Sequence, residues 1–213
     1  MKTIAETRYS KLGPVVVKAL KNRSFDAWYF DEQEDALEKI VSLIPKDHQV
    51  SWGGSATLNE IGIKERLANE GYALLDRDKA ATPEERGEIQ RMALLCGTFL
   101  TSTNAVSEDG QLVNIDGYGN RVAAMIYGPK QVIVIAGMNK VAKTYEDAYS
   151  RARNIAAPMN VQRFPNCKTP CQQTGTCADC NGEDTICSFF VTHRFCKPAG
   201  RIKVILIGKS LGF

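Results

Sequence analysis

The stretch QVIVIAG, residues 131–137, is apolar from Val132 to Ala136 without a break. A strand with one wet face alternates apolar and polar side chains, whereas a strand covered on both faces need not. GTFLTST (97–103) is read the same way, so both runs are expected at the centre of a sheet with helices on its two faces. Around them the chain alternates strand-sized and helix-patterned segments. FDAWYF (25–30) reads as a strand, followed by a helix capped by Asp31 with an apolar face of Ala36, Leu37, Ile40, Val41 and Ile44. HQVSW (48–52) is a second strand, LNEIGIKERL (58–67) a helix, and YALLD (72–76) a third strand.

Thr82-Pro83-Glu84-Glu85 combines a cap, a proline at the first helical position and a glutamate that can reach back to the cap. Behind it Ile89, Met92, Ala93 and Cys96 recur at the spacing of a buried helix face, which makes Cys96 a core residue. Asp109-Gly110 marks a hairpin turn between two short strands. A last helix carries Tyr145, Ala148, Tyr149, Ala152, Ile155 and Ala156 on one side and is expected to stop at Pro158. GRIKVILIG (200–208) reads as a closing strand. Strands separated by helices of this length predict an α/β fold with a largely parallel sheet, in a single domain over 1–213.

Composition narrows the function classes. The net charge of +3, from 27 basic and 24 acidic residues, is small and evenly spread, and no aromatic-and-basic stripe argues for nucleic acid. Apolar runs are strand-sized, too short for membrane insertion, and MKTIAETRYS lacks the apolar core of a signal peptide. The expected setting is cytoplasmic, where clustered cysteines point to metal or redox chemistry rather than disulfides.

That cluster is pronounced. Six of the seven cysteines lie between Cys167 and Cys196, spaced C-x3-C-x5-C-x2-C-x6-C-x8-C. Cys177 and Cys180 form a CxxC, which lets two thiolates grip one metal across a tight turn. With Cys171 upstream and Cys187 downstream they make a four-sulfur ligand set, within a Cys-rich metal-binding segment over 165–198 inserted before the last strand. Zinc and an iron–sulfur cluster both take such a set, with disulfides or free thiols as the remaining outcome. Cys167, Cys196 and His193 are left over, and His193 reads more simply as an ordinary side chain.

Two loops are candidates for ligand binding. VSWGGSATLNEIG (50–62) runs strand, Gly53-Gly54-Ser55, helix, a form that lets backbone approach an anion. In the same stretch Thr57 and Glu60 fit a T-x-x-E capping box, while Glu60 is also a candidate acid or base. STNAVSEDGQLVNIDGYGNR (102–121) gathers Asn104, Asp116, Asn120 and Arg121 beside a strand end. Arg121 suits a carboxylate or phosphate, and Asp116 could orient or deprotonate a hydroxyl. The plain alternative for these glycine-rich stretches is turn chemistry.

VSWGGSATLNEIG, TSTNAVSEDGQLVNIDGYGNRVAAMIYGPKQVIVIAG (101–137), and TGTCADCNGEDTIC (174–187) with GRIKVILIGKSLGF (200–213) together resemble the lactate-utilisation (LUD) domain family. The resemblance implies a Rossmann-like sheet similar to the sugar-phosphate isomerase and CoA-transferase superfamily. It places a phosphate- or sugar-binding role on Gly53, Gly54, Ser55 and Thr57. It also implies a part in oxidising lactate to pyruvate alongside separate iron–sulfur proteins as partners. An isomerase- or transferase-like enzyme acting on a phosphorylated sugar or acyl-CoA is the alternative, and a non-catalytic metal-stabilised interaction module is a third. The transferase nucleophile has no convincing counterpart, Glu108 being the nearest glutamate.

Overall fold

The computed structural model describes residues 2–213. Its elements in chain order are α1 (Ile4–Asn22), β1 (Asp26–Phe30), α2 (Gln33–Ser42), β2 (Val50–Trp52), α3 (Ala56–Glu60), α4 (Ile63–Asn69), β3 (Leu74–Leu75) and α5 (Pro83–Met92). There follow β4 (Thr98–Thr101), β5 (Ala105–Ser107), β6 (Leu112–Asp116), α6 (Asn120–Ile126), β7 (Gln131–Gly137) and β8 (Val141–Ala142). The remainder is α7 (Tyr145–Arg151), α8 (Ala157–Val161), α9 (Pro170–Thr174), β9 (Phe189–His193) and β10 (Ile202–Ile207).

Six strands form a wholly parallel sheet in the order β1-β10-β7-β4-β2-β3. Every residue of β7 and of β4 is buried, the polar Gln131, Thr98 and Thr101 included. Val132, Val134, Val204 and Leu206 face a core completed by Val16 and Leu20 of α1. Ile133, Ile135, Ile205 and Ile207 face the opposite core, against Ile40, Leu58, Ile63 and Leu67 of α2, α3 and α4. Each such aliphatic side chain contributes about 2 kcal/mol on burial, so this two-faced packing anchors the fold. A second, four-stranded sheet in the order β8-β5-β6-β9 carries the Asp109-Gly110 hairpin, with Gly110 at φ 90°.

Several local expectations need correction. Asp31 does not cap α2: the cap position is Glu32, without a side-chain bond, and Asp31 instead accepts from the Tyr29 hydroxyl at 2.8 Å. The 58–67 helix is two helices broken at Gly62, whose φ of 68° favours glycine. Thr82 does cap α5, but the helix ends at Met92, which is 47% exposed, and Cys96 reaches the core from beyond it. The last helix does not stop at Pro158. A π-helical turn over Ala152–Ala156 leads straight into α8, and the chain passes through Pro158 with the wider turn just before it, where the regular hydrogen-bond ladder is already interrupted. Among the elements that went unforeseen are α1, and β9, which lies inside the cysteine-rich stretch and pairs antiparallel with β6. Among the described residues no helix is long and apolar enough to cross a membrane.

Candidate functional site

The chain runs outward from β2 to β3, then steps back to β4, β7 and β10. Its direction therefore reverses between β2 and β4, and α/β sheets leave a crevice outside the carboxyl ends of their strands at such a point. A cavity of about 610 Å³ occupies that place. Its floor is Gly54 to Ala56 after β2, Ser102 to Asn104 after β4, and Lys140 after β7. The end of β6 and the start of α6 give one wall, with Asp116, Asn120 and Arg121. Arg163 and Phe164 after α8, and Glu183 to Ile186 in the cysteine-rich stretch, give the other.

Five of the sequence-derived site residues beyond Gly54 thus line one cavity: Ser55, Asn104, Asp116, Asn120 and Arg121. Their hydrogen bonds define what each does. The Arg121 guanidinium donates to Ser102 O, Asn114 Oδ1, Asn104 Oδ1 and Ile115 O at 2.6–3.2 Å, and its Nε lies 3.5 Å from Asp116. Both terminal nitrogens are engaged by protein acceptors and Nε faces Asp116 as an ion pair, so it offers a ligand its charge rather than a free fork. Asp116 accepts from the backbone N–H groups of Tyr118, Gly119 and Val122, which ties down the start of α6.

The glycine loop works through the same arginines. A Cβ on Gly53 would stand 2.9 Å from Arg121 Cδ, and one on Gly54 would stand 2.6 Å from Arg77 Nη2. Gly53 makes room for the aliphatic stem of Arg121 and Gly54 for the guanidinium of Arg77. Ser55, not Thr57, is the N-cap of α3, accepting from Leu58 N at 3.3 Å, so the Thr57–Glu60 capping box is not formed. Thr57 is fully buried and accepts from Lys140, while Glu60 accepts from Gly212 N at 2.7 Å, outside the cavity lining. Glu108 pairs with Lys143 at 2.6 Å and does not line the cavity.

Of the cavity residues missed in the sequence, Arg77 and Lys140 matter most. Arg77 has a side chain only 13% exposed, and its buried Nε has no hydrogen-bond partner. The nearest carboxylate, Asp78, lies 3.7 Å away and already serves Lys64, Arg86 and the Trp52 indole. Burial pulls the Arg77 pKa down, with Arg86 and Arg163 adding to the effect and Asp78 and Asp116 opposing it. Lys140 is 3% exposed and sits in the turn after β7, bonded to Thr57 and Ser102 hydroxyls at 3.0 Å each. Burial, then Arg151 and Arg121, bring its pKa to about 7, with Glu60 opposing. The available signal was positional: a lysine three residues beyond a fully apolar central strand.

The cysteines divide cleanly. Cys96 and Cys196 are core residues at 2% and 1% exposure. Cys167 lines the cavity, with its Sγ 3.3 Å from Asp184 O. Burial pushes the Cys187 thiol up to about 11, and the next contributions come from Cys171, Cys177 and Cys180. The four cysteines chosen by spacing lie in one stretch of chain, but among the described residues no three His, Cys, Asp or Glu side chains are grouped so as to hold a metal ion. His193, on β9, lies apart from them, buried with both ring nitrogens unpaired and near Arg121 and Arg201.

Residues 14–207 match the family model described as the LUD domain. The chain belongs to the LUD-domain family. A crystal structure of a DUF162 family protein from Deinococcus radiodurans is similar in fold, with a TM-score of 0.53 at 11% identity over 93% of this chain and 97% of that one. Ribose 5-phosphate isomerase A from Neisseria gonorrhoeae is similar over only 52% of this LUD domain and 53% of its own length, at 17% identity and a TM-score of 0.34, too weak to carry an argument. No curated protein matches the sequence.

Proposed function

We propose that the cavity of this LUD domain binds a small carboxylate, a lactate-like 2-hydroxy acid or its oxidised 2-oxo partner, as a component of 2-hydroxy acid utilisation. The observation that carries this reading is Arg77. A guanidinium keeps its charge at any working pH, and an uncompensated buried charge costs several kcal/mol on the order-of-magnitude scale of ion desolvation. Its only near carboxylate is shared among other cations, and it borders a cavity that also holds Lys140 and Arg163. An anion placed there relieves all three. Ser55, Asn120 and the Gly53-Gly54 turn border the ligand, while Asp116 and Arg121 hold the wall.

The cavity volume favours a second reading, in which the acid group belongs to a larger molecule such as a phosphorylated sugar or an acyl-CoA. Calorimetry with lactate, pyruvate, ribose 5-phosphate and acetyl-CoA separates the two. Binding of the carboxylates, abolished in Arg77→Met, supports the first; binding only of phosphate-bearing compounds replaces it with the second; no binding by any of them removes both.

A tetrathiolate centre on Cys171, Cys177, Cys180 and Cys187 completes this proposal, in a reducing cytoplasmic setting. The spacing of the four cysteines supports it. The quartet closes as metal binds, in keeping with sites whose ligation energy is also folding energy. Zinc would hold the lobe in place, whereas an iron–sulfur cluster would accept and pass an electron to partner iron–sulfur proteins. Oxygen-free protein analysed for metal and visible absorption decides: brown and iron-bearing, colourless with zinc, or metal-free with every thiol titratable, which overturns the centre.

A further inference from the structure

The surroundings of the Lys140 amine leave one direction unaccounted for. Its Nζ donates to Thr57 Oγ1 and Ser102 Oγ, each at 3.0 Å. Those hydroxyls direct their own protons to backbone carbonyls, Thr57 to Leu211 O and Ser102 to Thr103 O, at 3.4 Å. They therefore act as acceptors toward the amine. A neutral amine has two N–H groups and one lone pair; with both N–H groups engaged, the lone pair remains. No carboxylate lies within salt-bridge distance of Nζ among the described residues, and the side chain lines the cavity while being 3% exposed. Arg77 reaches the same loop at Gly54, and Lys140 reaches it at Thr57, three residues on. An anion-holding fork and an unclaimed amine position thus flank one short turn.

We infer that Lys140 is a covalent catalytic residue, whose amine forms an imine with the carbonyl carbon of a 2-oxo acid held through its carboxylate by Arg77. This deepens the small-carboxylate reading of the cavity and rests on it. In the first step the nitrogen lone pair forms the C–N bond while the carbonyl π pair moves to oxygen. One amine proton passes to that oxygen, with the Ser102 or Thr57 hydroxyl within reach to relay it. The resulting hydroxyl leaves as water, taking the second nitrogen proton, and the freed pair closes the C=N bond. Amine and ketone give imine and water, and nothing is oxidised or reduced. A lysine brought to about 7 by burial supplies the neutral form near neutral pH, where an exposed lysine would be almost wholly protonated.

The test incubates the full chain with pyruvate, reduces with cyanoborohydride, and reads intact mass and peptide maps. The expected result is one carboxyethyl group on Lys140, with trapping that rises as pH passes upward through about 7. Lys140→Arg, which keeps the charge, loses the adduct; Arg77→Met lowers it; lactate, with a hydroxyl in place of the ketone, binds and gives none. Calorimetric binding of pyruvate with no adduct after reduction overturns the imine and leaves the carboxylate site standing, with Lys140 as an ammonium anchor. Adduct scattered over surface lysines and unchanged in Lys140→Arg overturns it equally. If neither pyruvate nor lactate binds, the carboxylate reading fails and the imine falls with it.

Discussion

The two sides of the cavity treat their arginines in opposite ways. On the β6–α6 wall both terminal nitrogens of Arg121 have protein acceptors and its Nε faces Asp116, which is itself held by three backbone N–H groups. Across the glycine loop Arg77 is nearly as buried, yet its Nε has no partner and its neighbouring acid is shared among other cations. The first wall is a self-satisfied frame. The second is polar structure left incomplete by the protein, and incompleteness is what a ligand can answer.

The largest effect that would break this comparison comes from Arg121→Met. It leaves the Asn114 and Asn104 side-chain oxygens, the Ile115 carbonyl and Asp116 without their cation, and should cost about 3–5 kcal/mol by chemical denaturation. An unchanged midpoint would mean the frame is not a frame. Next is the pH dependence of His193, which burial, then Arg121 and Arg201, pull down to about 4. Its folded pKa lies below the unfolded value, so the unfolded chain takes the proton first. Its contribution is complete above about 6.5 and drains away as pH falls toward 4, on the order of 3 kcal/mol in all. His193→Phe should flatten that part of the stability curve; a curve of unchanged slope refutes the assignment.

A smaller contrast sharpens the comparison within one dipeptide. Gly53→Ala presses on the locked Arg121 stem and should cost about 1–3 kcal/mol, whereas Gly54→Ala meets only the tip of Arg77 and should cost less. Gly54→Ala should still weaken ligand binding, since Arg77 must move. Smallest on stability is Arg77→Met, expected to be neutral or stabilising by about 1 kcal/mol while abolishing carboxylate binding. Thermal melts and calorimetry on the same samples read both halves of each prediction.

The parallel sheet was legible because its central strands are apolar at consecutive positions, a pattern that only coverage on both faces explains. Helix α1 was not, since the Gly13-Pro14 pair looks like a break. In the fold Gly13 instead lets the helix press onto the Tyr29 ring, where a Cβ would come within 2.2 Å. Strand β9 was hidden because FFVTH sits among cysteines and glycines, and its pairing with β6 is a long-range fact that no local pattern carries. The motif wall of the cavity was found, but spacing alone does not say whether Arg121 has donors to spare. Arg77 and Lys140 escaped for the converse reason: a charged residue after a strand reads as solvated until the crossovers bury it.

The pairing of β9 with β6 sets Phe189 opposite Asp116, only two residues beyond Cys187. The sulfur-bearing lobe and the ligand wall are therefore rungs of one ladder. Whatever stiffens either end narrows the motion open to the other, and by thermodynamic reciprocity the influence runs equally in both directions.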